Sequence, residues 1–196
     1  MLTKSKLGFG LMRLPKDEEG NIIIEKVNKM VDSYMDAGLN YFDTAYVYTG
    51  SEEAIRKSLV ERYPRDSYTL ANKLPGWKLT CRDDVERIFN ESLNNCGVEY
   101  FDYYLLHSIE KAHYPIYEKY ECFDYIKTLK ETGKAKYIGF SYHGSPHEFK
   151  TLIDDFPWDM VLVQYNYLDV NAQAGIRGIQ YAYENDKKSF CAYDCV

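Results

Sequence analysis

Short apolar runs alternate with amphipathic segments along most of this chain. The runs GFGLMRL (8–14), NYFDTA (40–45), SYTLANKL (67–74), FDYYLLH (101–107), AKYIGFSY (135–142), MVLVQYNYL (160–168) and SFCAY (189–193) have the length and aromatic or β-branched content of strands. Between them, IEKVNKMVDSYMDAG places Val27, Met30, Val31, Tyr34 and Met35 on one helical face, with Gly38 set to end it. DDVERIFNESLNNCG repeats the device with Val85, Ile88, Phe89, Ser92, Leu93 and Cys96 ahead of Gly97. SEEAIRKSLVERYP opens on a Ser51 N-cap with two acids in its first turn and stops at Pro64, and DYIKTLKETGK ends on Gly133. Strands joined through helices run parallel with right-handed crossovers, which leaves an open doubly wound sheet or a (β/α)8 barrel. A dinucleotide-binding doubly wound sheet needs a Gly-rich turn leading from its first strand into a helix. Here GFGLMRLP runs into a proline and no helix follows. The reading is therefore an α/β chain of the (β/α)8 TIM-barrel type, incomplete at about six to seven β/α units, with residues 1–196 as one domain.

Composition narrows the partners. The 196 residues are 45% hydrophobic and 28% charged, an ordinary globular balance. A net charge of −6 with no basic face argues against nucleic acid. No run reaches the roughly 18 apolar residues of a membrane span, and the N-terminus has no signal-peptide pattern, so no membrane partner and a cytoplasmic location are expected. The five cysteines read as reduced thiols. Cys191 and Cys195 have a CxxxC spacing, but no further Cys or His stands nearby to complete a metal set. Twenty tyrosines suit half-buried strands and wet pocket rims.

In a parallel barrel, chemistry collects where the carboxyl ends of the strands converge. Those ends carry Asp43 with Tyr48 just beyond, Lys73, His107 with Ser108, Ser141 with Tyr142 and His143, and Gln164 with Asn166. The amino ends offer nothing comparable. A phenol is a poor acid near neutrality, but an ammonium beside it stabilises the phenolate. Lys73 would supply that ammonium, Asp43 would hold it, and neutral His107 would orient a carbonyl oxygen toward the phenol. The set suits protonation of a developing alkoxide. No side chain donates hydride, so a nicotinamide cofactor is required.

FDTAYVY followed by SEEAIRKSL, then NKLP, SLNNCGVEYFDYYLLH, KAKYIGFS and VQYNYL, resembles the aldo-keto reductase family, in the family's own order, from about residue 4 to about residue 186. The resemblance implies an NAD(P)H-dependent oxidoreductase that reduces an aldehyde or ketone, with NADP(H) or NAD(H) as cofactor. It implies a catalytic tetrad of Asp43, Tyr48, Lys73 and His107, and selects Tyr48 rather than Tyr46 as proton donor. It carries cofactor contacts to Ser141 and Gln164, with Tyr142 standing where the family has Asn and His143 available to replace it. The wording is closest to a bacterial branch. Trp77 and Tyr114 either line the substrate mouth or pack under loops; His113 and His147 read as loop residues. After YAYEN the family continues into further strands and helices, whereas here DKKSFCAYDCV ends the sequence. A barrel short of its final unit or units exposes edge strands and predicts self-association through them, and a weakened grip on the far half of the dinucleotide. The alternative to the enzyme is a truncated barrel without turnover, serving as a binding or interaction module or a non-functional fragment.

Overall fold

A computed structural model describes residues 7–185 and the backbone of 188–192. Its parallel strands, in sheet order, are β1 (Phe9–Gly10), β2 (Tyr41–Asp43), β3 (Thr69–Pro75), β4 (Phe101–His107), β5 (Ala135–Tyr142), β6 (Met160–Gln164) and β7 (Lys188–Ala192). Helices α1 (Ile24–Asp36), α2 (Ser51–Ile55), α3 (Asp83–Cys96), α4 (Tyr114–Lys119), α5 (Cys122–Glu131), α6 (Pro146–Asp155) and α7 (Gly175–Glu184) fall between them, so the sheet curls as a partial (β/α)8 barrel.

Both faces of the sheet are buried, and the period-two alternation of strand side chains separates them. One row set packs under the helices: Phe42, Leu70, Tyr104, Leu106, Phe140 and Val161 meet Val27, Val31, Ile88, Phe89, Ile126 and Phe149. The other fills the inside of the curl with Tyr41, Ala71, Tyr103, Leu105, Met160 and Leu162. At Gly139 an added Cβ would stand 2.3 Å from the Met160 carbonyl oxygen, so only glycine fits that inner position. Each inner row ends in a polar residue: Tyr41 leads to Asp43, Ala71 to Lys73, Leu105 to His107, Gly139 to Ser141, and Leu162 to Gln164. The alternation that fills the curl thus delivers the chemistry to its mouth.

β4 and β5 match their expected bounds and α3 nearly so, ending at Gly97 in the left-handed region. Several expectations are corrected. The run 8–14 keeps only two residues as strand, then turns, burying Leu11 and Leu14. The run 160–168 ends as strand at Gln164, because the Asn166 side chain accepts from the amides of Leu168 and Asp169 and folds the chain into a turn. Met30 is half exposed, off the buried face of Val27, Val31 and Tyr34. The helix expected over 51–64 is α2 continued by a π-helical turn at Arg56–Val60; its N-cap is Gly50, not Ser51. His147 sits in the first turn of α6 rather than in a loop. The side chain of Cys191 and all of Cys195 lie outside the described residues.

Candidate functional site

The polar ends of the inner rows line one cavity of 590 Å³ at the carboxyl end of the sheet, with Asp43, Tyr48, Lys73, Trp77, His107, Ser141, His143 and Gln164 in its wall. Lys73 is its deepest charge, 1% exposed. Its ammonium donates to an Asp43 carboxylate oxygen, to the Thr44 carbonyl at 2.8 Å and to the Tyr48 hydroxyl at 3.5 Å, and lies 4.9 Å from the centre of the Tyr48 ring. Burial works against this charge, but Asp43 and Tyr48 outweigh it, and the ammonium holds its proton above the ordinary lysine value.

Tyr48 reaches this position from the loop after β2. Thr44 is tied back to β3 through its amide and the Ala71 carbonyl, at 3.0 Å. The buried hydroxyls of Thr44 and Ser51 bond each other at 2.7 Å, closing the loop at its base. A turn between the Ala45 carbonyl and the Tyr48 amide then presents the phenol to the cavity. Tyr46 points the other way and donates to Glu91 on α3 at 2.7 Å.

The His107 ring meets Tyr48 edge-on, with centroids 5.9 Å apart, and packs against Trp77 at 5.1 Å. Burial first, then the Lys73 charge, push this imidazole down to about 2, so it is neutral across the physiological range. Among the described residues its Nδ1 is buried without a hydrogen-bond partner. Trp77 also stacks on His113 at 5.0 Å and lines the cavity, whereas Tyr114 packs on Phe123. The hydroxyl of Tyr117 on α4 bonds the carbonyls of Leu74 at 3.0 Å and His107 at 2.5 Å and accepts the Gly76 amide at 2.8 Å, fastening together the two strand ends that carry Lys73 and His107.

On the other wall the Ser141 hydroxyl accepts from the Ser108 amide at 2.7 Å, which keeps its own proton available. Gln164 accepts from the Gln173 side chain, whose oxygen in turn faces His143 Nδ1 at 3.1 Å. Tyr142 turns into the helix layer, packing on Phe149 and donating to the Ser145 carbonyl, so at this point of the wall the side chain lining the cavity is His143. Asn166 stands outside the cavity in its turn. Three contributors escaped the sequence reading. Tyr117 and Gln173 sit in segments with no periodic signal, and Thr44 acts through its backbone carbonyl, which any residue carries.

A family model described as "Aldo/keto reductase family" matches residues 6–194. A Glycine max relative described as "Probable aldo-keto reductase 1" is 32% identical over 152 residues, covering 70% of this chain and 41% of its own. A Schizosaccharomyces pombe protein described as an NAD/NADP-dependent indole-3-acetaldehyde reductase is 31% identical over 140 residues, 69% of this chain and 45% of its own. The chain thus spans less than half the length of these two relatives. The holo form of an aldo-keto reductase from Bacillus halodurans superposes with a TM-score of 0.74 at 25% identity, over 94% of this chain and 60% of that one.

Proposed function

The chain belongs to the aldo/keto reductase family, and from that premise we propose that its cavity reduces a small aldehyde or ketone to the alcohol with NADP(H) or NAD(H). The observation that carries the reading is the Lys73 ammonium, sealed from water yet held charged between a carboxylate and a phenol oxygen. Such a charge is costly to bury and is kept where a neighbouring group must become anionic. Tyr48 gives its proton to the oxygen of the carbonyl as negative charge develops there, and Lys73 stabilises the phenolate left behind. Asp43 fixes the ammonium and balances it. His107, neutral, hydrogen-bonds the same carbonyl oxygen and turns it toward the phenol; its unpartnered Nδ1 and the apolar Trp77 face beside it fit a ring selected to stay uncharged.

The cofactor's fit rests on the opposite wall. A primary carboxamide needs donors for its carbonyl and an acceptor for its NH₂ group, and Ser141, Gln164 and His143 offer that mixture on one side of the cavity. When bound, the nicotinamide supplies the hydride that no side chain can. Ser141, Gln164 and His143 then serve to hold and orient its ring, and the buried inner rows beneath exclude water from the reacting carbon.

The test is NADPH oxidation with a panel of simple aldehydes, run beside Tyr48→Phe. The expected result is turnover by the unaltered chain and a loss of about 10²–10⁴-fold in kcat for the variant, with cofactor binding by fluorescence quenching unchanged. Equal rates for the two proteins, or cofactor binding without turnover across the panel, would remove the assignment.

A further inference from the structure

Gln164 and His143, the two wall residues proposed above to meet the carboxamide, are joined by a third side chain that nothing in the tetrad or its known partners calls for. Gln173 lies in the segment between β6 and α7, and its backbone has φ of 54°, in the left-handed region that a residue with a Cβ rarely adopts. A non-glycine residue stays there when its surroundings hold it. Its amide nitrogen donates to Gln164 Oε1 and its amide oxygen stands 3.1 Å from His143 Nδ1. One amide therefore spans two residues whose own positions lie on different strand ends, β5 and β6.

The chemistry of an amide makes this relay directional. A side-chain amide donates only from nitrogen and accepts only at oxygen. If Gln173 donates to Gln164 Oε1, the two N–H groups of Gln164 are left for the cavity. If Gln173 accepts from His143, then Nδ1 carries the ring proton and Nε2 is left as a bare acceptor. We propose that Gln173 is a positioning residue that sets both orientations at once, presenting donors at Gln164 and an acceptor at His143 to a bound carboxamide. This rests on the reading of the cavity as a nicotinamide site. It explains how a histidine serves where the family resemblance expects an asparagine: a locked neutral tautomer supplies the fixed acceptor that an amide oxygen would have supplied. The opposite setting, with both glutamines reversed, would leave Gln164 Oε1 facing the cavity and put the ring proton on His143 Nε2, exchanging every donor for an acceptor.

The two settings are told apart without cofactor by ¹⁵N NMR of the histidine rings in the full chain, with the His143 signals assigned by comparison with His143→Asn. The expected result is a protonated Nδ1 and a pyridine-like Nε2 on His143 in the neutral ring. Gln173→Ala should release the tautomer toward the mixture of a free imidazole and raise the NADPH Kd by about two- to tenfold, the worth of one or two ordinary hydrogen bonds, with kcat at saturation little changed. Gln173→Glu separates the halves, because a carboxylate still accepts from His143 Nδ1 but cannot donate to Gln164. It should keep the tautomer and still weaken NADPH. A proton on Nε2 in the unaltered chain, or a tautomer indifferent to Gln173→Ala, overturns the proposal. An unaltered chain with the expected tautomer that binds no NADPH leaves the relay standing and overturns instead the reading of the cavity it serves.

Discussion

Two carboxylate clusters sit at opposite ends of the same sheet and are finished differently. At the amino end, Asp102 is 2% exposed and every side of it is used: one oxygen accepts from Arg65 at 2.6 Å and from the Leu70 amide at 2.9 Å, the other from Lys136 at 2.8 Å. The Tyr100 ring lies between the two cations, 4.0 Å from the Arg65 guanidinium carbon and 4.5 Å from the Lys136 nitrogen. At the carboxyl end, Asp43 meets the Lys73 ammonium, and that cation also touches a phenol that opens on a cavity. The first arrangement spends its carboxylate on two cations and a backbone amide, although it too borders a cavity, of 630 Å³; the second holds a charge next to a phenol. Neither burial nor a bordering cavity tells these two apart; the difference lies in the phenol that the Lys73 ammonium touches.

The widest separation between the two ends comes from breaking each. Lys73→Met should lower kcat by at least about 100-fold, since the phenolate loses its stabilising charge, while Asp43 is partly rehydrated through the open cavity and the fold suffers little. Asp102→Ala should do the reverse. It strands Arg65 and Lys136 against Tyr100 and should cost on the order of 3–5 kcal/mol in denaturant unfolding, with kcat per folded molecule unchanged. If Asp102→Ala reduced kcat as Lys73→Met does, or if Lys73→Met cost more stability than Asp102→Ala, the division of labour between the ends would be wrong.

This contrast also marks how far the residues could be read before the structure. The mouth was legible, because Asp43, Lys73, His107, Ser141 and Gln164 stand at the ends of apolar runs, and a strand pattern with a known direction says where its end goes. The base was not. Asp102 sits inside FDYYLLH, where an isolated acid reads as an alternating outward position, and its cations come from Arg65 and Lys136, 37 and 34 residues away. Only the register of β4 against β5 brings Lys136 beside it. Boundaries failed where a side chain outcompeted the backbone pattern, as Asn166 did at the end of β6 and as the Thr44–Ser51 bond did at the start of α2. The short α4, with the Tyr117 clamp it carries, is too brief for periodicity to announce it.

A smaller effect of the same kind comes from acid. His107 has its folded value depressed to about 2 by burial and by Lys73, so it binds no proton in the fold where an unfolded imidazole does. A chain that takes up a proton on unfolding is most stable above the unfolded value near 6.5 and loses stability as pH falls below it. The slope should approach about 1.4 kcal/mol per pH unit between roughly 6.5 and 4.5, above the range where carboxylates titrate. His107→Gln should flatten that slope while Asp102→Ala leaves it intact, which places the acid sensitivity at the mouth. Denaturant unfolding at stepped pH measures both, and a slope kept by His107→Gln would show that another group carries it and that burial does not hold this imidazole neutral.

The smallest effect concerns how the mouth holds the Tyr48 phenol. The base is fastened by charges, whereas the loop bearing Tyr48 is closed at its base by backbone bonds and by a neutral bond between the buried hydroxyls of Thr44 and Ser51. Ser51→Ala leaves the Thr44 hydroxyl buried and unpaired, at a cost of about 1–3 kcal/mol, and Thr44→Val does the same to Ser51. Making both changes removes both unpaired groups, so the double variant should cost less than the sum of the singles, with a coupling of about 1 kcal/mol. Because the bond closes the loop rather than touching the reacting atoms, kcat should fall by less than about tenfold in each, with the NADPH Kd unchanged. Additive stability costs would mean the two hydroxyls do not depend on each other. A kcat loss as large as that of Tyr48→Phe would mean instead that this bond, and not the Lys73 ammonium, is what keeps the phenol in place.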